Sequence, residues 1–301
     1  MSYLGEISAL LTAVFWTVTS MSFESAGKKV GSLAVNLIRL VIAFVIYAVY
    51  LKFTRGMFIP LDAGLERWLW LSLSGLVGFV IGDLLLFQAF VVVGARISML
   101  IMSFAPPITA LIGWIILGEV LSPMNWLGMA VTITGISMVI LKRQKSNGST
   151  RLPILTSAYS WQGILLAFGG AVGQGAGLVL SKKGMGDYDA FASSQIRVLT
   201  GIAGFTILFF FMKRWKRVAG ALKNGPAMKR IALGSVFGPF LGVSFSLLAV
   251  QHTQAGIAAT IMAIVPVLII PPAIIIFKEK PGWKEIAGAF ITVCGVALFF
   301  L

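Results

Sequence analysis

Residues Phe104 to Glu119 read FAPPITALIGWIILGE, and this stretch decides the fold. It is as apolar as a membrane span, yet it contains Pro106 and Pro107. A proline inside a helix lacks the backbone N–H and displaces the carbonyl of the residue four positions earlier. Because an unpaired carbonyl is costly in hydrocarbon, the sequence predicts a helix that is broken against protein or a watery cavity.

A second copy of this stretch lies 160 residues later, where residues Ile264 to Glu279 read IVPVLIIPPAIIIFKE. The pairs matched at this shift are Pro106 and Pro266, Glu119 and Glu279, Gly78 and Gly238, Gly82 and Gly242, Gly128 and Gly288, Gly135 and Gly295, and Thr132 and Thr292. A shift of 158 matches Gly5 with Gly163 and Arg39 with Arg197. Proline, glycine, glutamate and arginine matched in one register indicate an internal duplication.

The composition excludes a soluble globular protein, since 58% of the residues are hydrophobic and only 11% are charged. Nearly all of the 24 Lys and Arg residues lie in short clusters between apolar runs of bilayer-spanning length. The net charge of +14 is therefore better explained by membrane-protein loops than by a nucleic-acid partner. A single Cys294 and a single His252 exclude an internal disulfide and a cysteine or multi-histidine metal centre. The first apolar run lacks the basic leader of a cleavable signal peptide.

Ten candidate spans predict an all-α polytopic membrane protein. They cover roughly residues 4–22, 33–52, 68–92, 95–118, 124–141, 161–181, 190–212, 231–251, 255–277 and 283–301. Residues 1–141 and 161–301 each hold five spans, and the basic stretch 142–160 reads as the linker between them. Because five is odd, the second repeat enters the membrane in the opposite sense. The sequence thus predicts two inverted five-helix repeats, an architecture that recurs in secondary transporters.

The basic residues also predict an orientation. The loops on one side carry 17 of them and the loops on the other side carry 5, although the first half alone is balanced. The positive-inside rule then places both termini outside a cell (inner) membrane.

Several motifs resemble one transporter family across both halves of the chain. They are FWT at residues 15–17, Arg39 in the second span, GDLLLFQAF at residues 82–90, and the Phe104–Glu119 stretch followed by Trp126-Leu127-Gly128. Together they resemble an EamA-type member of the drug/metabolite transporter superfamily. The second half departs at residues 277–279, where Phe-Lys-Glu replaces the usual Leu-Gly-Glu. The resemblance implies a ten-helix carrier whose cavity, between two five-helix repeats, opens alternately to each side. It implies little about the substrate.

Three charged residues inside spans are candidates for the transport chemistry. Asp83 lies deep in the third span, where a charge is costly and seldom without function. We expect a proton site or a partner for a substrate amine, and the alternative is an ion pair with Arg39 that only fixes two spans. Arg39 and Arg197 each lie about two turns into a span. They provide either one cation at each mouth of the cavity or snorkelling anchors in the headgroups.

Other polar and small residues are weaker candidates. Gly170, Gly173, Gly175 and Gly177 form a small-residue face around Gln174, which favours close helix packing. Gln174, Gln88 and Trp16 are candidate cavity residues. Glu119 and Glu279 each end a span just before the next helix. Ser122-Pro123, and less regularly Lys280-Pro281, read as the N-cap and N1 proline of that helix, whose dipole the carboxylate complements. The helix breaks proposed for gating are Pro106, Pro107, Pro266, Pro271 and Pro272.

We expect a secondary transporter that exports a small organic metabolite, an amino acid or similar amphipathic solute, by alternating access. The sequence shows no nucleotide-binding loop, catalytic triad or paired carboxylates, so neither an enzyme nor a cofactor is expected. The expected partners are the substrate, the lipid bilayer and a coupled proton, and the expected state is a monomer or weak homodimer. Two alternatives stay open. One is an exchanger of phosphorylated or nucleotide-linked sugars, which needs more intramembrane cations, and the other is an ion channel or lipid scramblase.

Overall fold

The computed structural model describes residues 3–92, 98, 101–140, 161–268, 270–271 and 282–300, and the regular structure within these ranges is helical. The predicted linker at 142–160, together with Pro272 and Glu279, lies outside the described residues.

Among the described residues, six α-helices and one π-helical segment of the first half have defined bounds. They are α1 (Leu4–Val30), α2 (Ser32–Arg55), α3 (Leu65–Gly75), π1 (Leu76–Gly82), α4 (Asp83–Val92), α5 (Ala105–Leu117) and α6 (Pro123–Ile140). The second half continues with α7 (Trp161–Met185), α8 (Ala190–Met212), α9 (Trp215–Leu222), α10 (Gly225–Ser235), π2 (Val236–Gly242), α11 (Val243–His252), α12 (Ala255–Met262), α13 (Val265–Leu268) and α14 (Trp283–Ala297). A 3₁₀ turn at Leu298–Phe300 ends the described chain.

Six helical stretches within the described ranges are long and apolar enough to cross a bilayer. They are Leu4–Gly27, Ser32–Arg55, Leu65–Leu86, Trp161–Met185, Ala190–Met212 and Gly225–His252. Three shorter apolar helices accompany them, at Ala105–Leu117, Ala255–Leu268 and Ile286–Phe300. Large apolar side chains such as Phe211 and Phe290 stay exposed on the outer surface, as expected where lipid rather than water surrounds the protein.

The two π-helical segments occupy matching positions in the two halves. π1 and π2 are each seven residues long and start 160 positions apart. Each interrupts an otherwise continuous helix in the middle of a span. Such wide turns displace backbone carbonyls from regular pairing and are frequent at functional sites.

Each π segment packs against a helix from the other half of the chain. Gly173 of α7 is so close to π1 that a Cβ added to it would come within 2.7 Å of the Cα of Gly82. Trp16 of α1 lies in the same way on Gly242 of π2. Trp16 and Gln174 are 158 positions apart, which is one of the shifts seen in the sequence. The predicted small-residue face of α7 is therefore used for close helix packing.

Helices α6 and α14 pair through the two sets of glycines that match at the 160-residue shift, with each glycine facing the match of the other one on its own helix. A Cβ added to Gly128 would meet the carbonyl of Gly295, and one added to Gly288 would meet the carbonyl of Gly135. The numbers of the contacting residues rise on one helix as they fall on the other, so the helices are antiparallel. The small residues let the two backbones approach closely.

Pro106 and Pro266, which match at the 160-residue shift, lie at helix starts. The helix that includes Met102 ends there, a turn covers residues 103–104, and Pro106 occupies the first turn of α5. Pro266 lies likewise in the first turn of α13, after a turn at residues 263–264. A proline is well tolerated there, because the first N–H groups of a helix have no partner within it. Whether these breaks act in gating stays a prediction.

Candidate functional site

A buried cluster of three polar residues, which we call the Asp83 cluster, joins three helices. The guanidinium of Arg39 on α2 forms an ion pair with Oδ2 of Asp83, the first residue of α4. Nε2 of Gln174 on α7 donates to Oδ1 of Asp83 at 2.7 Å. Both carboxylate oxygens are thus engaged, by one residue from each half of the chain. Asp83 is only 7% exposed, and a buried charge of this kind needs such partners.

Arg197 on α8 is equally buried but has no carboxylate partner among the described residues. Its side chain is 5% exposed, and its Nε atom lacks a hydrogen-bond acceptor. The guanidinium carbon lies 4.8 Å from the centre of the Phe79 ring in π1, a cation–π contact. A Cβ added to Gly78 would lie 3.4 Å from the guanidinium, so Arg197 rests directly on π1.

The two arginines approach the same part of the third span. Arg197 lies against Gly78, and Arg39 pairs with Asp83 five positions later in the chain. Gln174 connects these places, because its amide also lies 3.4 Å from the carbonyl oxygen of Gly78. The segment from Gly78 to Asp83 therefore lies between two buried cations.

Two further buried polar residues near this region were not singled out from the sequence. Tyr47 of α2 contacts the carbonyl oxygen of Pro239 at 2.8 Å and the hydroxyl of Ser244 at 2.7 Å. It thereby ties α2 to the second π segment. Asn36, one turn before Arg39, is 1% exposed, and neither of its side-chain amide atoms has a hydrogen-bond partner. A polar residue inside an apolar span was the available signal for both.

The remaining predicted site residues lie apart from the Asp83 cluster. Gln88 is an exposed residue of α4 and makes no described hydrogen bond to the cluster. Trp16 is half-buried on π2, and Pro271 is exposed.

Both termini of the described chain lie at one end of the helix bundle, which we call the terminal end. The hydroxyl of Tyr3 lies 3.3 Å from the carbonyl oxygen of Phe300, and their rings are 5.6 Å apart. The opposite end is where α8 finishes and α9 begins.

At the terminal end, Glu119 connects the two halves of the chain. Its Oε1 lies 2.5 Å from Nζ of Lys182, and its Oε2 accepts a hydrogen bond of 2.8 Å from the backbone N–H of Ala255. Lys182 also donates to the carbonyl of Thr253 at 2.6 Å. The sequence predicted that Glu119 would favour the N-terminus of the next helix, α6. That helix is capped by Ser122, as the Ser122-Pro123 sequence predicts, since the hydroxyl accepts from the N–H of Asn125 at 3.2 Å. The carboxylate caps α12, because tertiary packing brings the end of α5 to the start of that helix.

A second contact between the halves lies at the same end. Asp62, in the loop after α2, forms an ion pair with Arg55 and accepts a hydrogen bond of 2.7 Å from the hydroxyl of Tyr188. Burial, followed by this hydrogen bond, raises the pKa of Tyr188 to about 12, so the hydroxyl stays protonated and donates at neutral pH.

Comparison with known proteins identifies the family. The sequence profile of the EamA-like transporter family matches residues 3–141 and 161–301. Human solute carrier family 35 member G1 is 24% identical over 296 residues, which are 96% of this chain and 77% of that relative. A protein of known crystal structure shares the fold, with a TM-score of 0.74 at 15% identity, over 99% of this chain and 97% of its own. The chain is thus a multi-pass membrane protein and belongs to the EamA-like transporter family.

Proposed function

We propose that this protein is a secondary transporter that binds a small organic solute through its carboxylate group, an amino acid or a similar amphipathic metabolite. The observation that carries the proposal is the buried Arg197, which forms no ion pair with a carboxylate among the described residues. An isolated buried charge is costly, and a cation–π contact offsets only part of that cost. A bound carboxylate would supply the missing partner.

The internal duplication explains why Arg197 is left unpaired. Arg39 is its match at the 158-residue shift, and Arg39 is neutralised by Asp83. The position that matches Asp83 at the 160-residue shift is Val243. Arg39 is therefore neutralised by a carboxylate of the protein, whereas the positive charge of Arg197 is available to bind an anionic ligand.

The same proposal includes ten spans arranged as two inverted repeats that alternate the access of one central site. The antiparallel pairing of α6 with α14 supports an inverted arrangement, because their matched glycines meet each other reciprocally. The two π segments, 160 positions apart, also support it. Export is the direction that we expect for a metabolite carrier of this family.

Asp83 is the candidate for the substrate amine or a coupled proton. Its carboxylate joins Arg39 to Gln174, so protonation or an incoming ammonium group would loosen a contact between the halves. Such a change would link binding to the rearrangement of the helices.

An exchanger of phosphorylated or nucleotide-linked sugars is the second candidate. A phosphate carries more charge than one carboxylate, and Arg197 is the only unpaired buried arginine within the described residues. This favours a singly charged anionic group. A channel or scramblase is less favoured, since the human relative at 24% identity is a solute carrier.

The proposal is tested by thermal unfolding of the purified protein with a panel of amino acids, their decarboxylated amines and sugar phosphates. A ligand that binds the folded state raises the unfolding temperature. We expect stabilisation by amino acids that the matching amines do not give, and its loss in Arg197→Gln. Arg67→Gln, which removes an arginine from the terminal end, is the control and should keep the response. Stabilisation by sugar phosphates alone would favour the second candidate.

Transport in proteoliposomes tests the coupled proton. Asp83→Asn should lose the dependence of net flux on a pH gradient but keep counterflow exchange, because exchange needs no net proton movement. Flux without saturation or counterflow would instead indicate a channel.

A further inference from the structure

The end of the bundle opposite the termini carries a group of exposed basic residues, which we call the basic surface. Its members are Lys213, Arg214, Lys216, Arg217, Lys223 and Lys229, all of them exposed. Five of them lie on α9 and on the turns that flank it, and Lys229 lies on the next helix, α10. The chain contains no Asp or Glu between Asp189 and Glu279, so no acid from this stretch offsets them.

Helix α9 is amphipathic and lies across the ends of three other helices. Ala221 is 1% exposed and packs, with the half-buried Val218, against residues of α1, α2 and α10. Trp215 and Leu222 remain 41% and 57% exposed on the apolar side, and the Trp215 ring lies 5.6 Å from that of Phe209. Lys216 and Arg217 project from the other side of the helix. An exposed tryptophan beside a basic helix face is typical of the headgroup layer of a membrane.

The basic residues of the terminal end are arranged differently. Arg55 and Lys182 form ion pairs with Asp62 and Glu119. The other three, Lys52, Arg67 and Lys183, lie over the rings of Phe58, Tyr188 and Trp70. In contrast, the six residues of the basic surface make no ion pair or ring contact in the described structure. Among the described side chains, none therefore pairs with the positive charge of the basic surface.

We propose that the basic surface binds the phosphate groups of anionic phospholipids in the leaflet next to it. Both the charge of the basic surface and its position next to the membrane favour an anionic lipid. Six cations that have no ion pair with a described residue attract an anion. Helix α9 follows directly on the membrane-spanning α8, which places its basic side at the depth of the lipid phosphates. Because α9 packs on α1, α2 and α10, bound lipid would also fix the ends of these helices.

The test compares the stabilising effect of phosphatidylglycerol and phosphatidylcholine on the purified full-length protein in mixed micelles. We expect phosphatidylglycerol to raise the unfolding temperature by several degrees more than phosphatidylcholine does. The variant K216Q/R217Q/K223Q should lose at least half of this difference. The control K52Q/R67Q/K183Q removes the same charge from the terminal end and should keep it. The charge-preserving variant K216R/R217K/K223R should behave as the native protein and so shows that charge, not local packing, is responsible.

Two further readings decide the occupant. Native mass spectrometry should find fewer bound phosphatidylglycerol molecules on the glutamine variant than on its control, and high salt should reduce the count, since exposed charges are screened. Equal stabilisation by both lipids, or an equal loss in both glutamine variants, would overturn the proposal. Displacement of the bound phosphatidylglycerol by a short oligonucleotide, added at the same concentration of negative charge, would also overturn the proposal. It would show that the basic surface prefers a soluble polyanion to lipid.

Discussion

At the scale of single residues, the buried charges are the feature that distinguishes this protein from a plain helical scaffold. Arg39 and Arg197 are matched at the 158-residue shift, yet only Arg39 forms an ion pair with a carboxylate in the described structure. The difference comes from one position, which is Asp83 in the first half and Val243 in the second. One substitution therefore turns a symmetric pair of cations into one paired and one available charge.

The first prediction concerns the stability of the Asp83 cluster. Arg39→Ala should lower the free energy of unfolding by about 3–5 kcal/mol, because it leaves the Asp83 carboxylate buried without its main partner. Adding Asp83→Asn should recover part of that loss, since the amide carries no charge. Thermal unfolding of the single and double variants in detergent measures the coupling.

The matched control for this pair is the ion pair of Arg55 with Asp62, whose side chains are 25% and 35% exposed. Arg55→Ala should cost only about 0–1 kcal/mol, because water screens exposed charges. If Arg39→Ala and Asp83→Asn lower stability additively, the buried pair is not coupled and the argument for the site fails.

At the scale of helices, close packing between the halves depends on glycine. Gly173 and Gly177 of α7 face Gly82 and Gly78 of the third span, so backbone lies against backbone along this crossing. The polar contact from Gln174 to Asp83 is possible only because the helices approach so closely. The glycine face and the Asp83 cluster are thus parts of one interface.

The second prediction follows from this crossing. Gly173→Ala should destabilise the protein by about 1–3 kcal/mol, because the new Cβ would lie 2.7 Å from the Cα of Gly82 and a backbone atom yields little. Gly27→Ala is the control, since a Cβ there meets nothing within 4 Å and alanine favours the helix. Chemical or thermal unfolding of both variants gives the comparison. If Gly173→Ala and Gly27→Ala changed the free energy of unfolding equally, the helices would not be closely packed at Gly173.

At the scale of the whole molecule, contacts between the halves join them at the terminal end. Glu119 pairs with Lys182 and caps α12, while Tyr188 donates to Asp62. If a central site opens alternately to the two sides, these contacts must break whenever the path opens at this end. Their strength then helps to set the balance between the two states.

The third prediction is that Glu119→Gln shifts this balance. The amide keeps the shape of the side chain but loses the charge attraction to Lys182, and a charge-assisted hydrogen bond contributes about 1.5–3 kcal/mol. A cysteine at the buried Ala258 of α12, in a Cys294→Ser background, should therefore react at least several-fold faster with a soluble thiol reagent.

Glu66→Gln serves as the control for this experiment, because Glu66 is an exposed acid at the same end without a described ion pair. It should leave the labelling rate unchanged. A rate that is the same in all three backgrounds would show that Glu119 does not hold the end closed.

The fourth prediction concerns orientation. The predicted topology places the terminal end outside, so a cysteine at Leu61 should be labelled in intact cells and one at Lys223 should be protected. Both side chains are exposed and make no described hydrogen bond or ion pair. Gly56 and Asn224 are less suitable, because Gly56 has a φ of 74° and the side chain of Asn224 caps α10. The reverse labelling pattern would invert the topology and place the basic surface in the outer leaflet.

The sequence by itself determined the class, the family and the places where the helices change. Apolar runs of bilayer length fix a membrane protein regardless of how they pack. Proline and glycine act locally on the backbone, so the helix starts near Pro106 and Pro266 could be predicted from their positions alone. The pairing of Arg39 with Asp83 could also be predicted from the sequence, because Asp83 is an acid at a similar depth on the next span.

Only the tertiary structure decided which groups meet across the two halves. The cap that Glu119 provides lies on a helix 136 positions away, and neither charge nor periodicity in the chain indicates it. The π segments, the unpaired Nε of Arg197 and the contact of Gln174 with Asp83 likewise depend on which faces of the helices turn toward each other. In an apolar chain nearly every face can be buried, so the hydrophobic pattern does not select one. Close packing at a few glycines and the need to pair buried polar groups select it instead.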